Sequence, residues 1–405
     1  MHFGARMRAS LIFLALAAAM PASGQSLLDR DCPGKVDATE GVDGKIGRCS
    51  DAIASGKFSG KDLAELYGIR GRDYGIKGDP DHALADFDQA IALDPDAAAS
   101  FFGRGTAFLA KKDNDRALAD FDRAVELAPD DAIARNSRAL AWNAKGDLDR
   151  AMADWSKAIE LDPNYVIARR NRGFAYQIKG DAEHALADYD EAIRIDPKYV
   201  RAWESRGSLY GNKGDQDHAI ADYDEAIKLD PNYALAYTNR GNAWTRKGDL
   251  DHGLADLDQA IKLDPALAQS WFDRGVIYLI RRDYDHAIAD NDQAIRLQPG
   301  YALAWGNRGF AWLQKGDPDR AIADLNEAIR ITPKNARDFN NRGTAFALKK
   351  DYTRAIAEYS EALRINPGYA GALFRRGIAK RLDGDKDGGE ADIAAAKKIN
   401  PNLAD

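Results

Sequence analysis

The chain has 405 residues, of which 45% are hydrophobic and 30% are charged, and its formal net charge at pH 7 is −7. This balance is typical of a folded protein, because the apolar fraction is large enough to form a core. The acidic residues are spread evenly and do not form a tail. Nucleic-acid binding usually shows as a basic surface, so the acidic balance argues against a nucleic-acid partner.

Residues 1–24 have the pattern of a secretory signal peptide. Arg6 and Arg8 precede an apolar run from Leu11 to Ala19, and residues 22–24 are small, as a signal peptidase requires. The run is too short to remain as a membrane span, and no later stretch is apolar enough for one. Cleavage would remove two Arg and no acid, which takes the net charge from −7 to −9. The alternative is an apolar N-terminus that is not a signal.

Cys32 and Cys49 are the only two cysteines of the chain. Cysteines in an exported chain usually pair, and a loop of this size would stabilise the fold by about 3 kcal/mol in the chain-entropy model. The alternative, a two-cysteine metal site, has no histidine nearby. We therefore predict a disulfide within an N-terminal segment, residues 25–63.

Prolines recur at one constant interval through most of the chain. They are Pro95, Pro129, Pro163, Pro197, Pro231, Pro265, Pro299, Pro333, Pro367 and Pro401. A constant period of about 34 residues is typical of a solenoid of helical repeats. It predicts ten repeats over residues 64–403 and a short tail, residues 404–405. Residues 41–55 resemble the second half of a repeat and are predicted to cap the first one.

Each repeat has the pattern of two helices. In the second repeat, residues 98–111 and 115–127 each place small and aromatic side chains on one face at helical spacing, and Pro129 prevents further helix. The turn between them holds an Asp in every copy, which predicts a capped helix start. Gly precedes that Asp in seven copies. Lys112, Arg282 and Lys350 replace it in the others, and we expect the first helix to end slightly differently there.

Columns of small and aromatic residues recur in register. One repeat contains Trp203, Gly207, Tyr210, Ala219, Tyr223, Ala226 and Pro231. These residues resemble the pattern of the tetratricopeptide-repeat (TPR) family, and the resemblance extends over all ten repeats. It implies an all-α fold, a right-handed superhelical solenoid of antiparallel helix pairs. It also implies that the first helices line a concave groove, and that the aromatic residues belong to the core.

One departure from the family is systematic. Where the family commonly has Leu before the small residue of the first helix, every copy here has Arg, and the second helix carries an acid at a constant spacing from that Arg. A buried guanidinium is costly unless it is paired. We therefore predict structural ion pairs, among them Arg104–Asp120, Arg172–Asp188 and Arg240–Asp256.

The seventh repeat departs from the others at Asn291, which occupies an otherwise aromatic or aliphatic column. Buried Asn needs hydrogen-bond partners. Together with Arg281 and Arg282, it makes this repeat the predicted weak point, and a hinge there is a hypothesis.

No residue pattern indicates catalysis, a metal or a cofactor. Five of the histidines share one column, in which they alternate with Arg, one per repeat. Neighbouring repeats lie about 10 Å apart, whereas Zn–N bonds are about 2 Å, so this row cannot form a mononuclear site. Paired acids such as Asp86 and Asp88 diverge on a helix. We predict that the protein is not an enzyme and holds no cofactor.

The resemblance implies that a ligand contacts the inner face of the first helices. That face is predicted to be polar, with side chains suited to holding a peptide backbone. The candidate residues are Asn136, Asn143, Arg170, Asn171, Arg201, Asn239, Asn242, Asn307, Arg337, Asn340, Asn341 and Arg375. The alternative is that they are ordinary polar surface residues.

These features together predict an exported adaptor, periplasmic or extracellular, that binds a protein or peptide segment in its groove. The alternative is a non-catalytic subunit of an envelope enzyme, an export complex or a polysaccharide assembly complex. Exposed aromatic residues along the groove would favour a saccharide ligand.

Overall fold

The computed structural model describes residues 32–33 and 41–403, and within them it contains helices and no strand. The all-α fold class predicted from the sequence is confirmed. The predicted signal peptide and the tail at 404–405 lie outside the described residues. None of the helices in residues 41–403 is long and apolar enough to cross a membrane.

The described residues form two compact units, one that ends at Leu209 and one that begins at Tyr210. The boundary falls inside a helix of the fifth predicted repeat. We number the helices in chain order, so that each repeat has an even-numbered first helix and an odd-numbered second helix. The helices of the first unit are α1 (Val42–Ala54), α2 (Gly60–Lys77), α3 (Pro80–Leu93), α4 (Ala98–Ala110), α5 (Asn114–Leu127), α6 (Ala132–Ala144), α7 (Leu148–Leu161), α8 (Val166–Ile178), α9 (Ala182–Ile195) and the first part of α10 (Val200–Asn212).

The second unit continues the same alternation from the end of α10. Its further helices are α11 (Gln216–Leu229), α12 (Ala234–Lys247), α13 (Leu250–Leu263), α14 (Ala268–Ile280), α15 (Tyr284–Leu297), α16 (Ala302–Gln314), α17 (Pro318–Ile331), α18 (Ala336–Leu348), α19 (Tyr352–Ile365), α20 (Ala370–Asp383) and α21 (Lys386–Ile399).

Within each unit the helices pack in one recurring arrangement. A first helix packs against the second helix of its own repeat and against the second helix before it, as α4 does with α5 and α3. Consecutive first helices also touch, for example α2 with α4 and α12 with α14, whereas second helices make no comparable contact with one another. The first helices of a unit therefore form one continuous face.

Helix starts and ends follow local chemistry. Asp147 caps α7 by accepting the N–H of Arg150 at 3.1 Å, and the corresponding Asp does the same in all ten repeats. The expectation that Lys112, Arg282 and Lys350 end the first helix differently is wrong. Their φ angles of 63°, 59° and 61° are left-handed, as at the glycines of the other copies, because the turn geometry requires it whatever the residue.

Small residues allow the two helices of a repeat to approach closely. A Cβ atom on Gly105 would lie 2.9 Å from the ring of Phe121, and one on Gly173 would lie 2.8 Å from the ring of Tyr189. Both rings are fully buried. The aromatic rings of the second helices thus pack directly on the glycines of the first helices.

The helix α1 occupies the place of a second helix ahead of the first repeat. Cys49 is fully buried where six of the ten repeats have an aromatic ring, and a disulfide joins it to Cys32. Ser50 accepts a hydrogen bond from Arg70 at 3.0 Å, the role that Asp88 has for Arg104. The contacts of α1 with α2 are thus like those of a second helix, and its role as a capping half-repeat stays a prediction.

Asn291 in α15 is fully buried and incompletely bonded. Its Nδ2 donates to the carbonyl of Ala287 at 2.7 Å, while its Oδ1 has no hydrogen-bond partner. The same place in the neighbouring repeats holds Leu257 and Leu325, both fully buried. Leaving a carbonyl oxygen unbonded in an apolar site costs free energy.

We expect Asn291→Leu to raise the free energy of unfolding by roughly 1–3 kcal/mol, because it removes the unbonded oxygen and restores the apolar seam. Thermal unfolding and hydrogen exchange of α15 would measure it. The reverse change one repeat later, Leu325→Asn, is the matched control and should destabilise. A loss of stability in Asn291→Leu would contradict the interpretation, and equal exchange protection in repeats six to eight would exclude the hinge hypothesis.

Candidate ligand-binding face

In nine of the ten first helices, those other than α10, the structure shows an arginine that connects two second helices. Arg240 of α12 donates from Nε and Nη2 to Asp256 of α13 at 2.8 and 2.6 Å, and from Nη1 to Asp224 of α11 at 2.5 Å. Asp256 is buried. We call this recurring arrangement the arginine ladder. Equivalent two-point pairs are Arg70–Asp86, Arg104–Asp120, Arg138–Asp154, Arg172–Asp188, Arg274–Asp290, Arg308–Asp324, Arg342–Glu358 and Arg376–Asp392.

The side chains of the ladder are held on three sides. The guanidinium of Arg240 also lies over the ring of Tyr237, 5.5 Å from its centroid. Its hydrogen bonds to Asp256 raise the pKa of the guanidinium above its ordinary value, although burial acts in the opposite sense. Charge, hydrogen bonding and stacking together therefore keep Arg240 ionised and oriented.

We expect Arg240→Leu to destabilise the protein by roughly 3 kcal/mol, because it leaves the carboxylate of Asp256 buried and unpaired. The double variant Arg240→Leu/Asp256→Leu should recover most of that loss, since it removes both charges. Thermal and denaturant unfolding would measure both variants.

The matched control for this experiment is Lys247→Ala, which breaks an exposed ion pair with Asp217. It should change stability by less than about 1 kcal/mol. A single variant as stable as the wild type would show that the ladder is dispensable.

The histidine column has a structural role. His184 approaches the capping Asp181 at 2.7 Å through Nδ1, and its ring stacks on Tyr176 with centroids 5.1 Å apart. Where Arg occupies the column, Arg150 lies over Trp142 at 4.5 Å. Either residue thus covers an aromatic ring beside a capping Asp. Within residues 32–33 and 41–403, no group of three or more His, Cys, Asp or Glu could hold a metal ion.

Several candidate ligand residues lie between first helices and are buried. Asn136 accepts hydrogen bonds from Trp155 Nε1 at 3.1 Å and from Asn171 Nδ2 at 3.2 Å. Asn340 donates to Asn341 at 3.3 Å. The candidates that are buried in this way are Asn136, Asn171, Asn307, Asn340 and Asn341. The carboxamides of Asn136, Asn171, Asn340 and Asn341 thus bind other side chains of the protein.

The remaining candidates reach the surface. Arg170 is half-buried and donates to Ser205 at 2.9 Å, and Asn242 hydrogen-bonds Asp273. The half-buried candidates are Asn143, Arg170, Asn239 and Asn242, and the exposed ones are Arg201, Arg337 and Arg375. The surface that a ligand could contact is therefore richer in Arg, and poorer in Asn, than the sequence predicted.

The exposed apolar side chains are a feature that the sequence reasoning missed. Of the nine large hydrophobic residues that are exposed in the described part of the chain, seven lie on first helices. These seven are Phe174, Ile178, Ile280, Leu303, Leu348, Ile378 and Leu382. Within a first helix, most of these exposed residues lie four or seven residues from candidate ligand residues, as Phe174 does from Arg170 and Leu348 from Asn341. Residues at these spacings share one face of a helix. That spacing was visible in the sequence.

In the described part of the chain, four acids of the first helices are buried outside the ladder, and burial raises the pKa of two of them. The four are Asp73, Glu204, Asp273 and Asp338. Asp273 accepts from Gln269 at 2.8 Å, and burial raises its pKa to about 6 despite hydrogen bonds from Gln269 and Asn242. Asp338 is fully buried and accepts from Asn335 at 2.7 Å, while its Oδ1 has no hydrogen-bond partner. Burial raises the pKa of Asp338 to about 6 as well, against the charge of Arg337.

We expect Asp338→Ala to stabilise the protein at pH 7.5 by roughly 1–3 kcal/mol. Because its folded-state pKa is raised, Asp338 binds a proton more tightly in the folded than in the unfolded chain. Its contribution to stability is thus lost as pH rises from about 4 to about 6. The gain in the variant should therefore shrink towards pH 4, which thermal unfolding at both pH values would show.

The matched control is Asp324→Ala, which removes an acid paired with Arg308 and should destabilise at pH 7.5. A variant Asp338→Ala that is less stable than the wild type at pH 7.5 would contradict the assignment of Asp338 as an unfavourable buried charge.

Comparisons with known families identify this architecture. A family model described as tetratricopeptide repeat matches residues 70–132, 238–302, 272–336, 313–370 and 340–404. A second, described as TPR repeat, matches residues 141–180, 178–214 and 212–248. The chain belongs to the tetratricopeptide-repeat family, and the resemblance stated from its residues is confirmed. No curated protein matches the sequence.

Solved structures share the fold at low sequence identity. The APC/C hetero-tetramer Cut9–Hcn1 is 17% identical with a TM-score of 0.57, and the match covers 84% of this chain and 80% of that one. A monomeric mutant of IFIT1 with Gppp-AAAA is 14% identical with a TM-score of 0.51, and the match covers 87% and 94%. TPR proteins bind protein partners, and the repeat is generally a non-catalytic scaffold.

Proposed function

We propose that this protein is an exported adaptor that binds a polypeptide segment on the face formed by its first helices. The single observation that carries the proposal is the distribution of exposed apolar side chains, seven of nine on first helices. Exposed aliphatic groups gathered on one face are typical of an interaction surface. The second helices, by contrast, carry mainly acids, which form the ion pairs of the ladder and exposed ion pairs such as Lys179–Asp149 at 2.5 Å.

The proposed location outside the cytoplasm rests on two features. Residues 1–24 have the pattern of a signal peptide, and the disulfide between Cys32 and Cys49 is the kind of bond that persists in oxidising compartments. Helix α1, which we propose as the cap of the first repeat, carries Cys49, and the side chain of Cys49 is fully buried. Oxidation would therefore stabilise the cap of the repeat array, which fits a periplasmic or extracellular protein.

The composition of the first-helix face also distinguishes a protein ligand from a saccharide or a nucleotide. Saccharides usually stack on exposed aromatic rings, and among the seven exposed apolar residues only Phe174 is aromatic. The IFIT1 structure holds Gppp-AAAA, so a TPR fold is compatible with a nucleotide ligand. Aliphatic side chains favour a protein segment over both. A non-catalytic role within a larger envelope complex is compatible with this proposal.

The proposal is tested by photo-crosslinking in the producing cells. A photoreactive amino acid at Arg246 or Gln314, both exposed on first helices, should give a crosslinked protein partner. The same residue at Lys262 or Arg296, both exposed on second helices, is the matched control and should give little. Mass spectrometry of the captured material would locate the crosslinked segment and read the N-terminus of the mature chain.

Two results would overturn the proposal. Crosslinks that are equal on both sets of helices would show that the first-helix face has no special role. A chain that retains residues 1–24 and stays in the cytoplasm would exclude export.

A further inference from the structure

The first helices of the second unit carry a row of mainly uncharged side chains. The residue at one place in five successive first helices is Arg246, Ile280, Gln314, Leu348 and Leu382. Ile280, Leu348 and Leu382 are 54%, 53% and 59% exposed. Ile378 lies one helical turn from Leu382 and is exposed too. We call Ile280, Leu348, Ile378 and Leu382 the aliphatic row. Single exposed hydrophobic residues are ordinary, but exposed aliphatic residues at the same place in three of five successive first helices are not.

The aliphatic row lies on helices that are basic, in a protein that is acidic overall. The helices α12, α14, α16, α18 and α20 contain eleven Arg and Lys against three acids, whereas the second helices α11 to α21 contain ten against eighteen. Of the three acids, Asp273 and Asp338 are buried, so only Asp383, at the end of α20, is exposed. Five of the eleven cations are ladder arginines, and Lys247, Lys380 and Arg381 pair with acids of second helices. The positive charge that a ligand on this face would meet therefore comes from Arg246, Arg337 and Arg375.

Two cations on this face are not committed to carboxylates. Arg246 donates to the carbonyl of Gly211 at 3.2 Å. Arg375 donates to Asn340 Oδ1 at 3.3 Å and to the carbonyl of Gly371 at 3.5 Å. These hydrogen-bond partners are neutral, whereas the ladder arginines donate to carboxylates. Arg246 in addition acts on the buried Asp273 through its charge, without a direct ion pair. Arg246 is in the first helix of the sixth repeat and Arg375 in that of the tenth, so they stand at opposite ends of the aliphatic row.

A cavity beside the end of the row shows the same combination of groups. It has a volume of about 470 Å³ and is lined by Ile378, Arg381, Leu382, Lys386 and Glu390. Arg381 lies 3.4 Å from Glu390, so one cation there is already paired. The cavity is thus lined by two aliphatic side chains and by a second cation, Lys386.

We propose that the segment bound by the second unit is an extended, acidic polypeptide with regularly spaced aliphatic side chains. This inference rests on the proposed function. Adjacent first helices are about 10 Å apart, and an extended chain in the polyproline-II conformation rises about 3.1 Å per residue with three residues per turn. One repeat therefore corresponds to about three residues, and every third side chain of the segment faces the same way. Aliphatic side chains of the segment pack on the aliphatic row, and its carboxylates approach Arg246 and Arg375. The amides of Asn242 and Gln314 offer hydrogen bonds to its backbone.

The test is fluorescence anisotropy with the purified full chain and designed peptides of about 12 residues, the length that four repeats accommodate. The first peptide has Leu at every third position and Glu between, the second replaces Glu with Lys, and the third replaces Leu with Ser. An oligothymidylate of the same length is the polyanion probe. We expect the Leu/Glu peptide to bind about tenfold or more tightly than the other three probes.

Variants assign the binding to this surface. Ile280→Ser/Leu348→Ser should weaken binding of the Leu/Glu peptide about tenfold, because it removes apolar contact. Arg246→Glu/Arg375→Glu should weaken it similarly and reduce its dependence on salt. The matched control is Leu297→Ser/Arg330→Glu, which changes an exposed apolar residue and a cation on second helices and should leave binding unchanged. Circular dichroism checks that each variant keeps its helices.

The outcomes separate this inference from the proposed function. Equal binding of the Leu/Lys peptide or the oligothymidylate, or no effect of the two variants, would overturn the acidic aliphatic segment. Cellular crosslinks on first helices to a segment that is basic or purely polar would do the same while leaving the adaptor function intact. Crosslinks confined to second helices would overturn both.

Discussion

The recurring carboxylate of the second helices, buried in all of them but α19, where Glu358 is half-buried, needs a cation, and this requirement organises the whole repeat. The cation is an arginine of the first helix, which binds that carboxylate through two nitrogens and reaches the preceding second helix with the third, as Arg104 does with Asp120 and Asp88. One side chain thus joins three helices of two consecutive repeats. A solenoid repeat cannot bury its core alone, so stability depends on such contacts between neighbours.

The ladder also determines what remains for a ligand. In the ladder, one acid of a second helix and one arginine of a first helix form an ion pair between the packed helices, so neither is free to bind a ligand. Most histidines are likewise occupied, since the column that includes His252 covers aromatic rings such as Trp244 beside the capping Asp. The exposed side of the first helices is left with aliphatic groups and a few cations. Asp273 and Asp338 deviate from the ladder, because they are buried acids without an arginine of the ladder as partner, and their carboxyl groups lie beneath that exposed surface.

The ladder and the Asn residues differ in how well their roles could be predicted from the sequence. The ladder could be read from two columns at a constant separation, because charge at a packing position requires a partner. The Asn residues could not be sorted in the same way. Asn136 and Asn242 both belong to first helices and look equivalent in the sequence, yet Asn136 is buried beneath Trp155 and Asn171 while Asn242 is half-exposed. Their difference depends on the neighbours that surround each of them.

The sequence by itself determined the constant repeat period, the helix pairs, the Asp caps and the family, because these follow from local spacing and backbone preference. The tertiary structure decided which polar residues remain at the surface, and that aliphatic residues such as Ile280 and Leu382 do so too. The physical reason is that exposure depends on the distance between neighbouring first helices and on the bulk of the side chains between them. These quantities belong to the packed array and not to any single repeat.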